Sequence, residues 1–409
     1  MRVLQCHNYY QQAGGEDRVV ADEHALLTER GHTVERYQVH NDAVSEVSRP
    51  RLMARTVFSR SSYRALRERM RAFEPDVVHV HNTLPMMSPS VYFAARDEGV
   101  AVVQTLHNYR MVCPSALCLR DGSVCEACNK KRVKWPAVVH GCYRGSRAAS
   151  AAVAGMLAVH YTLGTYQRLV HRYIACTAFA KSKVTESGID PARVMIKPNF
   201  LATDLPAGPG DGGYAMFLGR LSMEKGLDAL LTAWERHGQG LPELRVGGDG
   251  PMRGRVESVA AAVPNVTYLG RLSDEAVTRE VGGAAALMFP SITFEGMPLT
   301  LIESYQLGTP VIGSDLGSMA SLIDPGQTGE LFTPNDPDAI ADATRRFFAR
   351  PEPDWRAMRD ACRHEYETHY TPDSNYKLLI EVYRCAILAA KGEEKTRRVT
   401  PLPVISVDR

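Results

Sequence analysis

The sequence predicts an α/β protein made of two doubly wound, parallel-sheet halves. Short apolar runs recur along the chain and alternate with longer amphipathic stretches, the order expected of strand–helix–strand units. At 409 residues the chain is long enough for two domains of ordinary size. Midway, residues 199–213 carry Pro206, Pro209 and four glycines, a composition that reads as a linker.

In the first half, the run that begins Arg2-Val3-Leu4-Gln5-Cys6 reads as a core strand. A turn containing Gly14 and Gly15 follows, then a helical pattern over 16–30 that Gly31 stops. Residues 76–81 and 100–106 read as buried strands, the first ending on His81 and the second leading into His107. His81 reads as a hydrogen-bonded structural histidine. Runs over 172–177 and 194–197 complete this half. The second half repeats the alternation, with strands over 215–219, 244–247, 266–269, 286–289, 311–313 and 330–332. A final amphipathic helix is expected over 374–391, and the charged, proline-bearing tail beyond it is expected to be disordered.

Composition narrows the function. With 44% hydrophobic and 23% charged residues the chain is globular, and a net charge of +2 excludes a globally basic nucleic-acid binder. Any anion recognition must then be local. The start lacks the features of a signal peptide, so a cytoplasmic location is expected. The most apolar stretch, 148–163, contains His160 and is followed by Arg168, His171 and Arg172, so it reads as a buried helix and not as a membrane span. Of nine cysteines, Cys6, Cys176, Cys362 and Cys385 sit in apolar contexts and read as core thiols. Cys113, Cys118, Cys125, Cys128 and Cys142 cluster. Cys125 and Cys128 form a C-x2-C pair that Cys113 and Cys142 flank, a spacing open to a structural zinc site, to disulfides or to free thiols. The basic run 130–147 is open to two readings, a solvated loop or a peripheral contact with the inner face of the membrane.

The most informative stretch runs from Phe294 to Glu303. It follows an apolar strand and opens a helix, with Gly296 permitting an unusual turn and Pro298 suited to a first helical position. A strand therefore delivers a helix N-terminus, with the amides of Leu299 and Thr300, to a sheet edge where anionic and hydroxyl-rich ligands bind. Glu295 and Glu303 flank that terminus in an E-x7-E pattern. Upstream lie Gly219-Arg220-Leu221-Ser222-Met223-Glu224-Lys225-Gly226 and Gly248-Asp249-Gly250-Pro251, and downstream Gly308-Thr309-Pro310-Val311-Ile312. These four motifs, in this order, resemble those of the retaining glycosyltransferases of the GT-B fold, family 4 (glycosyl transferases group 1).

That resemblance implies two Rossmann-like domains facing across a cleft: an acceptor-binding domain over 1–198, a linker over 199–213 and a donor-binding domain over 214–370. A closing helix over 371–391 returns to the first domain, and the tail spans 392–409. The implied reaction moves a hexosyl group from a UDP- or GDP-type nucleotide-diphosphate sugar to an acceptor hydroxyl in polysaccharide, glycolipid or natural-product glycoside synthesis. Arg220 and Lys225 would neutralise the leaving diphosphate, with no metal or other cofactor required. Glu295 would take hydroxyls of the donor sugar and Glu303 those of the ribose. His107 would line the donor-sugar site, while Gly14 and Gly15 would lie against the diphosphate. The acids Glu16 and Asp17 would repel phosphate there unless turned away. Gly248, Gly250, Leu269, Arg271 and Leu272 complete the donor site, the last three beside the base. Met297 either tunes donor choice or packs the helix. A nicotinamide oxidoreductase needs a G-x-G-x-x-G turn that Gly14-Gly15 does not supply. A non-catalytic sugar-nucleotide binder, or a GT-B isomerase or phosphorylase, stays as the alternative.

Overall fold

The computed structural model describes residues 1–11 and 14–393, so the expected disordered tail lies, from residue 394 on, outside the described residues. The chain divides into two compact units. The first comprises Met1–Ala116, Glu126–Asn199 and the chain from Asn375 onward; the second comprises Leu117–Cys125 and Phe200–Ser374.

The first unit is a six-stranded parallel sheet. Its early strands are β1 (Arg2–Tyr9), β2 (Thr33–His40), β3 (Val77–Val80) and β4 (Ala101–Leu106). A two-stranded antiparallel hairpin of the second unit, β5 (Leu119–Arg120) with β6 (Ser123–Val124), interrupts the order before β7 (Arg172–Ala175) and β8 (Val194–Ile196) return to the first. Across the sheet the order is β2-β1-β3-β4-β7-β8. Strands β3 and β4 are buried along their whole length, as largely apolar strands in a doubly covered parallel sheet should be, with His79, Gln104 and Thr105 as their buried polar residues. Strand β2 escapes the sequence reading because Thr-Val-Glu-Arg-Tyr-Gln-Val-His is an edge strand with a half-exposed, charged pattern. The closing helix is observed at Pro372–Ala390. Its Leu379, Val382, Tyr383 and Ala386 join Val3, Val77, Val103 and Ile174 in one core.

The second unit holds β9 (Ala215–Leu218), β10 (Leu244–Gly247), β11 (Val266–Gly270), β12 (Ala286–Phe289), β13 (Val311–Ser314) and β14 (Gly329–Phe332). All are parallel, in the order β11-β10-β9-β12-β13-β14. Trp234, Leu230 and Phe347 anchor its core against β9, β10 and β12.

Residues 199–213 are not the loose linker their composition suggests. Phe200 and Leu201 are buried, and the amides of Gly208, Gly210 and Gly212 donate to the carbonyls of Leu307, Gly282 and Gly283. The glycines serve close approach: a Cβ on Gly208 would stand 2.5 Å from the Cα of Gly282. The stretch 148–163 is the Arg147–Thr162 helix, with His160 buried, and no described helix is long and apolar enough to cross a membrane.

Candidate active site

In the second sheet the chain first adds β10 and β11 on one side of β9, then β12, β13 and β14 on the other. The carboxyl ends of β9 and β12 thus flank a topological switch point, the place where open α/β sheets bind ligands. Lys225 follows β9 and Glu295 follows β12, and the lysine Nζ donates to Glu295 Oε1 at 2.8 Å. Ser291 Oγ donates to the same oxygen at 2.7 Å, and the Glu224 carbonyl accepts from both the Ser291 hydroxyl and the Ile292 amide. Ser222 Oγ in turn donates to Glu224 Oε1 at 2.6 Å. Two loops distant in sequence are therefore tied together around one carboxylate. Ser291 and Ser222 were not legible as site residues, since a lone serine carries no spacing signal.

Glycine makes this edge possible. Gly226 has φ +68° and a Cβ there would lie 1.7 Å from the Pro290 carbonyl oxygen; at Gly248, φ +136°, it would lie 1.9 Å from that of Gly219. At Gly250 a Cβ would lie 2.5 Å from the Leu221 carbonyl oxygen. Arg220 is exposed beside Gly219, Arg271 is exposed after β11, and Leu269 and Leu272 are half-buried, Leu272 packing toward Gly247. Pro298 is the N-cap, not the first helical residue: its extended ψ of 133° precedes the Leu299–Gln306 helix. Leu299 and Thr300 then supply its first amides, which have no intrahelical acceptor. Glu303 is half-buried within the helix, Gly296 lies in the turn before it, and Met297 is buried at 6% exposure.

Gly14, Gly15 and His107 belong to the first unit. There the order β2-β1-β3-β4 puts a switch point between β1 and β3. Gly14, after β1, is the N-cap of the Gly15–Glu29 helix. The two acids beside it are turned into the protein. Asp17 accepts from the Gly14 amide at 3.0 Å and pairs with His7 Nε2 at 2.7 Å. Glu16 bonds Asn108 and Tyr10, and burial together with the Asp17 charge pushes its carboxyl up to about 8. One acid is thus protonated at neutral pH and the other paired, which removes most of the expected repulsion. His107 follows β4 and its Nε2 meets His81 Nδ1 at 2.9 Å, the rings stacked. His81 is buried, as a structural histidine should be, and also contacts Gln5 at 3.4 Å. Burial holds both imidazoles well below their usual pKa, so both are neutral.

None of the nine cysteines is in a disulfide. Among the described residues the cysteines assemble no three-ligand group; the one grouping of metal-ligating type is Glu23, His79 and His81. The run 130–147 is not uniformly solvated, because Lys134 is 1% exposed and donates to the Cys128 carbonyl at 3.1 Å, above the Tyr161 ring.

Fold and site together define an α/β protein of two parallel-sheet units, the second with a lysine–carboxylate pair and a helix N-terminus at its switch point. Residues 13–205 match the family described as Glycosyltransferase Family 4, and residues 212–350 match Glycosyl transferases group 1. The chain belongs to this family. A D-rhamnosyltransferase of Pseudomonas aeruginosa is 33% identical over 143 residues, 34% of this chain and 37% of that protein. An uncharacterized glycosyltransferase of Methanocaldococcus jannaschii is 27% identical over 42% of this chain and 45% of its own length, so the chain spans less than half of these relatives. A glycogen synthase of Mycobacterium tuberculosis is 24% identical over 80% of this chain and 71% of its own. Among solved structures, a glycosyltransferase from Rickettsia africae aligns with a TM-score of 0.69 at 15% identity, covering 94% of this chain and 98% of that one. The Anabaena protein HepE, solved with UDP, aligns at 0.66 and 13% identity over 94% and 100%. The chain shares the GT-B fold of these solved structures.

Proposed function

We propose that the protein is a retaining hexosyltransferase that takes a sugar from a nucleoside-diphosphate donor and passes it to an acceptor hydroxyl in glycan synthesis. The observation that carries this is the Lys225–Glu295 pair at the switch point of the second sheet, 2.8 Å long and backed by the Leu299–Gln306 helix terminus. In this reading Phe200–Ser374 holds the donor and the first unit the acceptor. UDP is the preferred nucleotide, supported by the UDP-bound Anabaena neighbour. As the bond to the anomeric carbon breaks, charge develops on the departing β-phosphate. Arg220, Lys225 and the amides of Leu299 and Thr300 meet it there, an oxyanion-hole type of stabilisation worth ~3 kcal/mol per contact. Arginine grips two oxygens and lysine acts as a point charge, so together they serve in place of a divalent ion. Glu295, held by Lys225 and Ser291, is oriented toward hydroxyls of the sugar and Glu303 toward those of the ribose.

The test is a calorimetric titration with UDP, GDP, ADP and dTDP, followed by turnover of the matching sugar conjugate. UDP should bind selectively and Glu303→Ala should weaken it. Arg220→Ala and Lys225→Ala should each lower kcat about 100-fold while the protein stays folded, and chelation should leave turnover intact. Near-normal kcat in both variants would remove the leaving-group assignment.

A further inference from the structure

The amino edge of the second sheet bears a cavity of 610 Å³, within the size range of small-molecule sites. Gly213 and Ala285, just ahead of β9 and β12, lie on its wall. Lys225 and Glu295 follow the opposite ends of the same two strands. The four residues of each strand, roughly 13 Å of extended chain, therefore separate the two places.

Arg359, on the Glu352–His369 helix, is the buried cation of this wall, at 8% exposure. Its Nη2 donates to the carbonyls of Gly208 at 2.5 Å and Leu307 at 3.2 Å, which ties the 199–213 segment to the end of the Leu299–Gln306 helix. That structural duty leaves Nη1 over. It is buried with no acceptor among the described residues, and Arg359 is in no ion pair there. Gly210, φ +67°, lies beside it, where a Cβ would stand 2.2 Å from Nη1. Burial lowers the Arg359 pKa, as it must when a guanidinium loses water without gaining a counter-ion. An anion from solution would relieve both the unmade hydrogen bond and the uncompensated charge.

The rest of the lining says what that anion carries. Arg350 is paired with Glu330 and Arg356 with Glu352, so neither cation is uncompensated. Asp211 and Asp360 are exposed and in no ion pair among the described residues. Carboxylates of this kind accept from hydroxyls. Half-buried Trp355, its Nε1 donating to the Ala285 carbonyl at 3.3 Å, adds an aromatic face. A buried guanidinium and an exposed pair of acceptors suit a ligand with a phosphate at one end and hydroxyls at the other, since guanidinium matches phosphate geometrically.

We propose that this cavity is a second ligand site that binds a sugar phosphate, its phosphate on Arg359, its hydroxyls on Asp211 and Asp360 and its ring against Trp355. The site stands apart from Lys225 and Glu295 and does not rest on the transferase reading. Calorimetric titration of the full chain with glucose 6-phosphate, glucose 1-phosphate and fructose 6-phosphate tests it. Glucose and inorganic phosphate are the comparison ligands, and a parallel set contains saturating UDP. At least one hexose phosphate should saturate one site, at least tenfold more tightly than glucose or phosphate and equally well with UDP present. Arg359→Lys should weaken it at least tenfold, with Tm read alongside because Arg359 also ties two backbone segments. Asp211→Ala combined with Asp360→Ala, at two exposed positions, should weaken the hexose phosphate at least tenfold and inorganic phosphate not at all. Absence of binding by all three hexose phosphates, equal affinity for glucose or phosphate, displacement by UDP, or unchanged affinity in the double variant would overturn the proposal.

Discussion

Gly226 and Gly254 separate two uses of one residue type. At Gly226 the backbone is left-handed and a Cβ would meet the Pro290 carbonyl; at Gly254, inside the Arg253–Ala262 helix, a Cβ meets nothing within 4 Å. Gly226→Ala should therefore cost about 2 kcal/mol or more, and Gly254→Ala should gain about 0.5–1 kcal/mol. Urea denaturation of the two variants checks both signs. Glu16 gives a second contrast. Its folded pKa of about 8 lies above the value of an exposed glutamate, so the native state holds the extra proton. Its contribution is greatest at pH below about 4.5 and is lost as pH rises through 8. Glu16→Gln should accordingly gain stability relative to the parent at pH 8 and not at pH 4. The placement of Lys225 and Glu295 after strands was legible because each lies in a motif that directly follows an apolar run. The inward turn of Glu16 and Asp17 was not, since it depends on His7, Tyr10 and Asn108, which spacing does not connect to them.

Strand β3 shows what element patterning conveys and what it hides. Its apolar run announces a buried strand, and the structure has it at Val77–Val80. The reason a histidine sits inside that run is tertiary. His79 Nε2 bonds Thr105 of β4, its Nδ1 bonds Tyr383 of the final helix at 2.8 Å, and Glu23 lies 3.6 Å away. Glu23 is itself held by Lys197 Nζ at 2.8 Å, with both side chains buried. Desolvation lowers His79 to about 4 despite the Glu23 charge. The neutral native ring and the titrating unfolded one fix the sign: stability is complete above about 6.5 and falls as pH drops toward 4. His81 and His107, lowered in the same direction, steepen that loss. Urea midpoints measured from pH 7 to 5 should decline, and His79→Gln should flatten the decline even though it lowers stability throughout. Strand β2 and the 199–213 segment mark the opposite case. Their polar and glycine-rich patterns resemble loop and linker, and only pairing with β1 in one case and with the Gly282 and Gly283 carbonyls in the other reveals the order.

The two-domain architecture was legible in the alternation of strands and helices, and the family resemblance implied a last helix that returns to the first domain; that Leu117–Cys125 belongs to the second unit was not legible. The first unit closes only with the residues after Asn375, which supply Leu379, Val382, Tyr383 and Ala386 to its core. A chain ending at Ser374 should lose the thermal transition of the first unit, and far-UV circular dichroism on heating would register it. Retention of both transitions would show that β1, β3 and β4 are covered without that helix. The same arrangement sets a schedule for synthesis. By the time Asn199 has been made, every strand of the first sheet exists, yet all of Phe200–Ser374 must be translated before the helix that covers it arrives. At 5–20 residues per second that interval lasts roughly 10–35 s. For that time an apolar face formed by Val3, Val77, Ala101 and Ile174 lacks its cover. A newly made chain should therefore depend on a holding chaperone more than its finished stability would indicate, and slower translation should increase that dependence.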